Sequence, residues 1–351
     1  INNHFEMVCT YYHFKMNKHV FKLFDSDSAL VLFFIIFIAF LTGCAGITGK
    51  AVNKIPKEIN KEPEAYFCPG EDCSKVLENN IKSANFSAHC ALYDMNLKNV
   101  ITALSRKSKT ADVKLVMDSS NYEGQIKGDG IMMDDNEQLM HNKFCIIDSS
   151  IVITGSFNPT DNDNNYNNNN VVVIYSNTLA GNYEDEFNEL WNGDFGKGSK
   201  ANNPIIYINN IKIENYFCPE DDCASHIIDL IKNAESSIYF MSFSFTNEEI
   251  ADALIIRGGG DLDARGIFDS SQSSGKYSQF KRLQEFGIDV KKDTNKYKMH
   301  HKVFVIDNET VVTGSFNPTL SADAKNDENL LIIHDKKIAD AFLKEFDSLW
   351  A

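Results

Sequence analysis

Basic side chains are in deficit in this 351-residue chain: 34 lysines and arginines face 49 acidic residues, for a net charge of -15. That balance argues against tight, nonspecific attachment to nucleic acid through a basic surface, while leaving room for a local phosphate site. Cysteine is sparse as well. Eight residues are too few for a disulfide scaffold in a chain of this size, so each is read from its position and compartment. Neither charged content (24%) nor hydrophobic content (43%) departs from the globular range, which argues against wholesale disorder, a fibrous repeat or a polytopic membrane protein. The length suits about two domains, each with a buried core.

One long apolar run lies near the start. The chain opens on Ile1, with Met7 and Met16 the nearby methionines, and residues 1–15 are left out of the fold reading. From Met16, Lys18 and Lys22 precede an apolar stretch from Ala29 to Phe40 that leads into Leu41-Thr42-Gly43-Cys44. Residues 16–44 thus resemble a bacterial-type lipoprotein signal with Cys44 as the lipidated residue, although Asp25 and Asp27 are unusual in such a leader. An uncleaved single-span anchor is the alternative, because residues 29–49 carry no charge and are long enough to cross a bilayer. Lysines flank both sides of the run, so the orientation of such an anchor stays open. Both readings predict a membrane-tethered body, extracytoplasmic in the lipoprotein case. Residues 45–64 are polar and lysine-rich and read as a solvated stalk.

Beyond the stalk the chain contains one unit twice. Tyr66-Phe67-Cys68-Pro69 recurs 150 residues later as Tyr216-Phe217-Cys218-Pro219. Leu77, Ile81 and Ala84 recur as Ile227, Ile231 and Ala234, at the spacing of the buried stripe of an amphipathic helix. Gly155-Ser156-Phe157-Asn158-Pro159-Thr160 recurs 159 residues later as Gly314-Ser315-Phe316-Asn317-Pro318-Thr319, and each copy closes on a matching helix ending in Leu190-Trp191 or Leu349-Trp350. The halves span residues 65–195 and 211–351, with 196–210 as the joint. Within each, apolar runs (113–117, 144–147, 151–154 and 171–175; then 267–268, 303–306, 311–313 and 330–333) alternate with helical patterns, which predicts α/β layering. Residues 161–170, almost entirely Asn and Asp, read as a polar surface loop apart from Asn169.

Each half also carries His-x-Lys, then four residues, then Asp: His141, Lys143 and Asp148, and His300, Lys302 and Asp307. Residues two apart on a strand face the same way, so each His and its Lys are expected to project together while Asn142 or His301 points elsewhere. Seventeen residues after each His stands Asn158 or Asn317, preceded by Gly-Ser. Lysine, amide and hydroxyl groups around a histidine suit a tetrahedral oxyanion whose charge grows during reaction. On these motifs the chain resembles the phospholipase D superfamily over residues 66–350.

That resemblance implies two halves, each a mixed sheet flanked by helices, related by a pseudo-twofold with one shared active site, functional as a monomer. It implies phosphodiester hydrolysis or transfer through a phosphohistidine, with no metal or cofactor: one histidine attacks phosphorus, and the other protonates the leaving alcohol and then activates water. Lys143, Lys302, Asn158 and Asn317 would hold the nonbridging oxygens, with Ser156 and Ser315 as weaker contributors, and Asp148 and Asp307 would fix the motif strands. The family's downstream acid, which contacts a histidine across the pseudo-twofold, fits Glu328. The matching position in the first half is Asn169, an amide that can orient a ring but cannot stabilise its positive charge as a carboxylate does. If Glu328 reaches His141, His141 is the nucleophile and His300, near Asn169, the acid.

A phospholipid headgroup ester is the favoured substrate, because the tether places the enzyme at a bilayer. Endonuclease activity on DNA or RNA, phosphatidyl transfer as in cardiolipin synthesis, and a noncatalytic phosphate-binding module are the alternatives. His89, His226, His301 and His334 lack matching partners in the other copy and read as structural or exposed. Cys68 with Cys73, and Cys218 with Cys223, are expected as a local disulfide in each half of an exported chain, against a four-thiolate zinc site. Cys90 and Cys145, in apolar stretches, are expected as buried thiols.

Overall fold

Two mixed sheets grow from the two copies of the repeat. The protein is described by a computed structural model over residues 54–134 and 137–351, in which residues 55–351 form one unit. The apolar run and Cys44 lie outside the described residues. Among those described, no helix is long and apolar enough to cross a membrane.

In chain order, β1 (Lys57–Glu58) precedes a first-half sheet of β2 (Glu64–Cys68), β3 (Ser87–Leu92), β4 (Asp112–Met117), β5 (Ile131–Met133), β6 (Lys143–Ile147), β7 (Ile151–Gly155) and β8 (Asn169–Tyr175). Their spatial order is β2-β8-β7-β6-β3-β4-β5. The second half adds β9 (Ile205–Ile208), β10 (Ile211–Cys218), β11 (Ser237–Ser242), β12 (Asp263–Phe268), β13 (Asp289–Lys292), β14 (Lys302–Ile306), β15 (Thr310–Gly314) and β16 (Glu328–His334). Its sheet runs β1-β9-β10-β16-β15-β14-β11-β12-β13. The helices are α1 (Cys73–Ser83), α2 (Lys98–Lys107), α3 (Asp161–Asn165), α4 (Asn177–Trp191), α5 (Cys223–Asn233), α6 (Glu248–Gly258), α7 (Phe280–Glu285), α8 (Leu320–Ala324) and α9 (Lys336–Trp350).

Alternation along the central strands sorts their side chains into layers. On β6, Phe144 and Ile146 join an inner core, while Cys145 and Ile147 join an outer one under α1 and α2. On β14, Val303 and Val305 face inward, and Phe304 and Ile306 face the core under α5 and α6. The inner core holds side chains of both sheets together with Tyr183 and Phe187 of α4 and Phe342 and Phe346 of α9. The two closing helices therefore sit in the layer the halves share, which is why their apolar stripes recur so closely.

Two features differ from the sequence reading. The stalk does not extend to residue 64: β1 pairs in parallel with β9, and the Glu58 carboxylate accepts the backbone N–H groups of Asn177 and Thr178 at the start of α4. The joint contains β9, which pairs with β10. Residues 161–170 are not a surface loop. They form α3, capped by the Thr160 side chain, and then Asn167, Asn168, Asn169 and Asn170, all buried, because their amides bond one another and the opposite half.

Cys68–Cys73 and Cys218–Cys223 are disulfides within their halves. Cys90 and Cys145 are not thiols: they are directly opposed in the antiparallel pair β3–β6 and are also disulfide-bonded. Strand register, which brings residues 55 apart face to face, is what the sequence did not display.

Candidate active site

Both histidines sit immediately before their lysine-bearing strands, at the seam between the halves. Two short parallel bridges hold that seam, Met140 with Asp327 and Asn168 with Met299, and they exchange under the 159-residue repeat. The His141 N–H donates to the Asp327 carbonyl, and the His300 N–H to that of Asn168. Each ring is then held from the opposite half. Nδ1 of His141 lies 2.8 Å from both carboxylate oxygens of Glu328, and Nδ1 of His300 lies 2.8 Å from Oδ1 of Asn169. With an oxygen acceptor at Nδ1, each ring carries its proton there and presents Nε2 to the cleft.

Lys143 and Lys302 are buried alongside, each donating one bond of 2.6 Å to the carbonyl of its own histidine, His141 or His300. Tyr93 meets the His141 ring edge-on at 4.8 Å and lies 4.8 Å from the Lys143 ammonium. Phe243 does the same for His300 at 5.0 Å and for Lys302 at 5.2 Å. Sequence reasoning missed this aromatic pair, although Tyr93 and Phe243 match at the 150-residue offset that relates the starts of the halves.

Burial and mutual repulsion weaken the charged forms of the four basic groups. Burial is the largest influence on all four groups. It pushes Lys143 down to about 8, and it holds Lys302 well below its ordinary value, with Lys143 pushing the same way. His141 is pushed down to about 4 by burial, against the pull of Glu328, with Lys143 and Lys302 adding to the fall. His300 is held well below its ordinary value by burial, then by Lys302, Lys143 and His141. Each lysine thus acts on the histidine of the other half, so the four groups share one cleft. A bound phosphodiester would offset this repulsion and restore the charged forms.

The remaining predicted residues fall into distinct places. Asp148 and Asp307 are not at the cleft: they immediately follow β6 and β14, a strand's length from their histidines. There they accept backbone N–H groups of Asn85, Phe86 and Ser87, and of Glu235, Ser236 and Ser237. Ser156 and Ser315 do not reach toward a ligand either, because their hydroxyls donate to Asn169 at 3.1 Å and to Glu328 at 2.6 Å and so brace the histidine partners. Asn169 is likewise engaged with His300 rather than facing a substrate. The two motif asparagines differ. Asn158 donates one Nδ2 hydrogen to Asp163 at 2.9 Å, which leaves a single amide hydrogen for a ligand, and its Oδ1 has no partner among the described residues. Asn317 makes no such bond among the described residues, which leaves its Nδ2 free to donate.

The intervening residues Asn142 and His301 point into the seam. Asn142 accepts from Asn329 at 2.9 Å and donates to Glu186 at 3.2 Å. His301 lies 3.1 Å from Asn170 and 3.4 Å from Glu345.

A family model described as "Cardiolipin synthase, PLD-like domain" matches residues 77–191 and 227–350. The chain is 36% identical over 144 residues to a phospholipase D of Rickettsia prowazekii, covering 41% of this chain and 70% of that protein. It is 35% identical over 136 residues to a mitochondrial cardiolipin hydrolase of Xenopus laevis, covering 38% and 65% respectively. The solved phosphatidylserine synthase of Haemophilus influenzae superposes with a TM-score of 0.61 at 12% identity, over 81% of this chain and 85% of that one, a likeness of fold. With a match in each half and two histidines bracketing one basic cleft, the chain belongs to the phospholipase D superfamily and is a phosphodiesterase.

Proposed function

We propose that the protein hydrolyses a phospholipid headgroup ester in two steps, without a metal, through a phosphohistidine on His141. The crossed contact between His141 and Glu328 carries this reading, because it fixes the nucleophilic Nε2 toward the cleft and places a carboxylate behind it. Nε2 of His141 attacks phosphorus as the bond to the leaving alcohol breaks, and Nε2–H of His300 gives that oxygen its proton. Water then passes a proton back to His300, its oxygen attacks phosphorus, and the N–P bond breaks. Lys143, Lys302 and the Asn317 amide are placed to neutralise the phosphoryl oxygens. The names of the relatives and the predicted tether at Cys44 favour a lipid, with one chain as the working unit.

A second reading, single-stranded nucleic acid, is favoured by one asymmetry. Beside His300, the rings of Tyr166 and Tyr297 stack at 4.6 Å and are partly exposed, and Lys296 and Lys298 stand nearby without an ion-pair partner among the described residues. Gln138 and Lys325 occupy the matching positions. Bases stack on such rings while lysines follow the phosphates.

Turnover of phospholipid vesicles and of single-stranded DNA should be measured in parallel, in EDTA. Vesicle cleavage, with a phosphoryl adduct recovered on the His141 peptide and lost in His141→Asn, is the expected result. Cleavage of DNA alone would select the second reading. An adduct retained on His300 in His141→Ala would reverse the roles of the two rings.

A further inference from the structure

His300 poses a problem for an acid. Its partner Asn169 offers an amide where His141 has the carboxylate of Glu328, and after burial the largest influences on it are the basic groups Lys302, Lys143, His141 and His301. One carboxylate does reach it. Oδ2 of Asp163 lies 3.5 Å from Nδ1 of His300, and the Asp163 side chain is almost wholly buried. Asp163 belongs to α3, in the asparagine-rich stretch, and its counterpart on α8 is Ala322. The half that keeps the downstream acid thus has a methyl group at this position, and the half that lacks it has a carboxylate.

The hydrogen bonds repeat the exchange. In the second half, Asn326 directs its Nδ2 at Glu328, at 3.5 Å. In the first half its counterpart Asn167 donates to Asp163 instead, at 2.6 Å. Asp163 also accepts both the backbone N–H and Nδ2 of Asn158, at 2.8 and 2.9 Å. All these partners are N–H donors, the set an ionised carboxylate requires.

We infer that Asp163 is a positioning residue that replaces the missing acid of the first half, supplying the negative charge that lets His300 hold a proton while Asn169 supplies the hydrogen bond that orients its ring. The task of one glutamate in the second half is divided between two side chains in the first. The charge acts over 3.5 Å without taking the Nδ1 proton, so Nε2–H remains directed at the leaving oxygen.

The role of His300 as acid rests on the mechanism proposed above, so the test begins with a readout that does not depend on it. His300 should be titrated by NMR in the full chain carrying labelled histidine, with saturating inorganic phosphate in the cleft. Asp163→Asn should lower the His300 midpoint by about one pH unit or more, as expected for removal of a neighbouring opposite charge. The double variant Asp163→Ala with Asn169→Glu, which rebuilds the arrangement of Glu328 and Ala322, should restore it. An unchanged midpoint in a folded Asp163→Asn protein would overturn the inference, whichever ring attacks phosphorus.

Kinetics supply the second readout. With a poor alkyl leaving group, which needs protonation, Asp163→Asn should lower kcat at least tenfold with little change in KM. With a p-nitrophenyl ester, whose leaving group needs no acid, it should retain kcat within about threefold. Equal loss on both substrates would assign Asp163 to holding Asn158 in place and sink the proposal. A normal titration shift without any adduct on His141 would sink the two-step mechanism while leaving the charge pairing intact.

Discussion

Each motif aspartate closes a hairpin. Asp148 and Ser149, like Asp307 and Asn308, take positive φ values near 50°, the left-handed conformation that Asp, Ser and Asn enter at modest cost in tight turns. From there the carboxylate gathers three successive backbone N–H groups that lead into β3 or β11. Against the upward push of partial burial, hydrogen bonds to those N–H groups together hold the Asp148 carboxyl below its ordinary value. The fixed spacing between histidine and aspartate therefore measures the length of a strand, and not a distance within the cleft. Asp148→Ala should destabilise the protein by about 1–3 kcal/mol in denaturant unfolding, the cost of leaving those donors to water. At a temperature where the variant is folded, kcat should stay within about threefold of the parent. A hundredfold fall in kcat with unchanged stability would instead put Asp148 in the chemistry.

Elements built on long apolar runs were legible in the sequence. The cores of β4, β6, β7, β8, β14, β15 and β16 follow from their Val, Ile and Leu runs, and α1 and α5 from repeated stripes at helical spacing. Polar elements were not. β1 is a two-residue strand recruited by pairing with β9, and α3 is a single turn of Asp and Asn that only its buried partners reveal. The histidines and lysines of the site were readable because they recur. Tyr93 and Asp163 were not, one because aromatic residues at strand ends have many uses, the other because its importance comes from a residue missing elsewhere. Register was the other hidden quantity, and it makes the cysteines testable. Peptide mapping without reduction should recover Cys90 linked to Cys145 in addition to the two five-residue loops. Alkylation of Cys90 in unreduced, unfolded protein would refute the cross-strand link.

Over the whole molecule, three carboxyl groups, Asp327, Glu220 and Glu186, interact with one another and have no ion-pair partner among the described residues. Burial pushes Asp327 up to about 8 and Glu220 up to about 7, with neighbouring carboxylates adding to both, and Glu186 is held well above its ordinary value by burial and then by Asp327. Oδ1 of Asp327 accepts the Gly196 N–H, while Oδ2 has no partner among the described residues. These groups keep protons in the folded state that the unfolded chain releases. Their contribution to stability is complete below the ordinary carboxylate range and is lost as pH rises through the folded values. The buried histidines act in the opposite sense, but only below their ordinary value of 6.5. Between pH 6.5 and 8 the raised carboxyls contribute a decline in the unfolding free energy, which Lys143 and Lys302, depressed in the folded state, oppose. Asp327→Asn should flatten that decline by on the order of 1 kcal/mol, as read from urea midpoints across the range; an unchanged slope would mean that Asp327 is ionised throughout.

Joining both copies in one polypeptide has a consequence for how such a site can change over generations. In an assembly of identical subunits, any substitution near one imidazole is imposed on its twin, so the two can never specialise. Here a glutamate was free to persist behind one ring while an asparagine and an aspartate came to serve the other. Two copies in one polypeptide are two positions that mutation can tune one at a time.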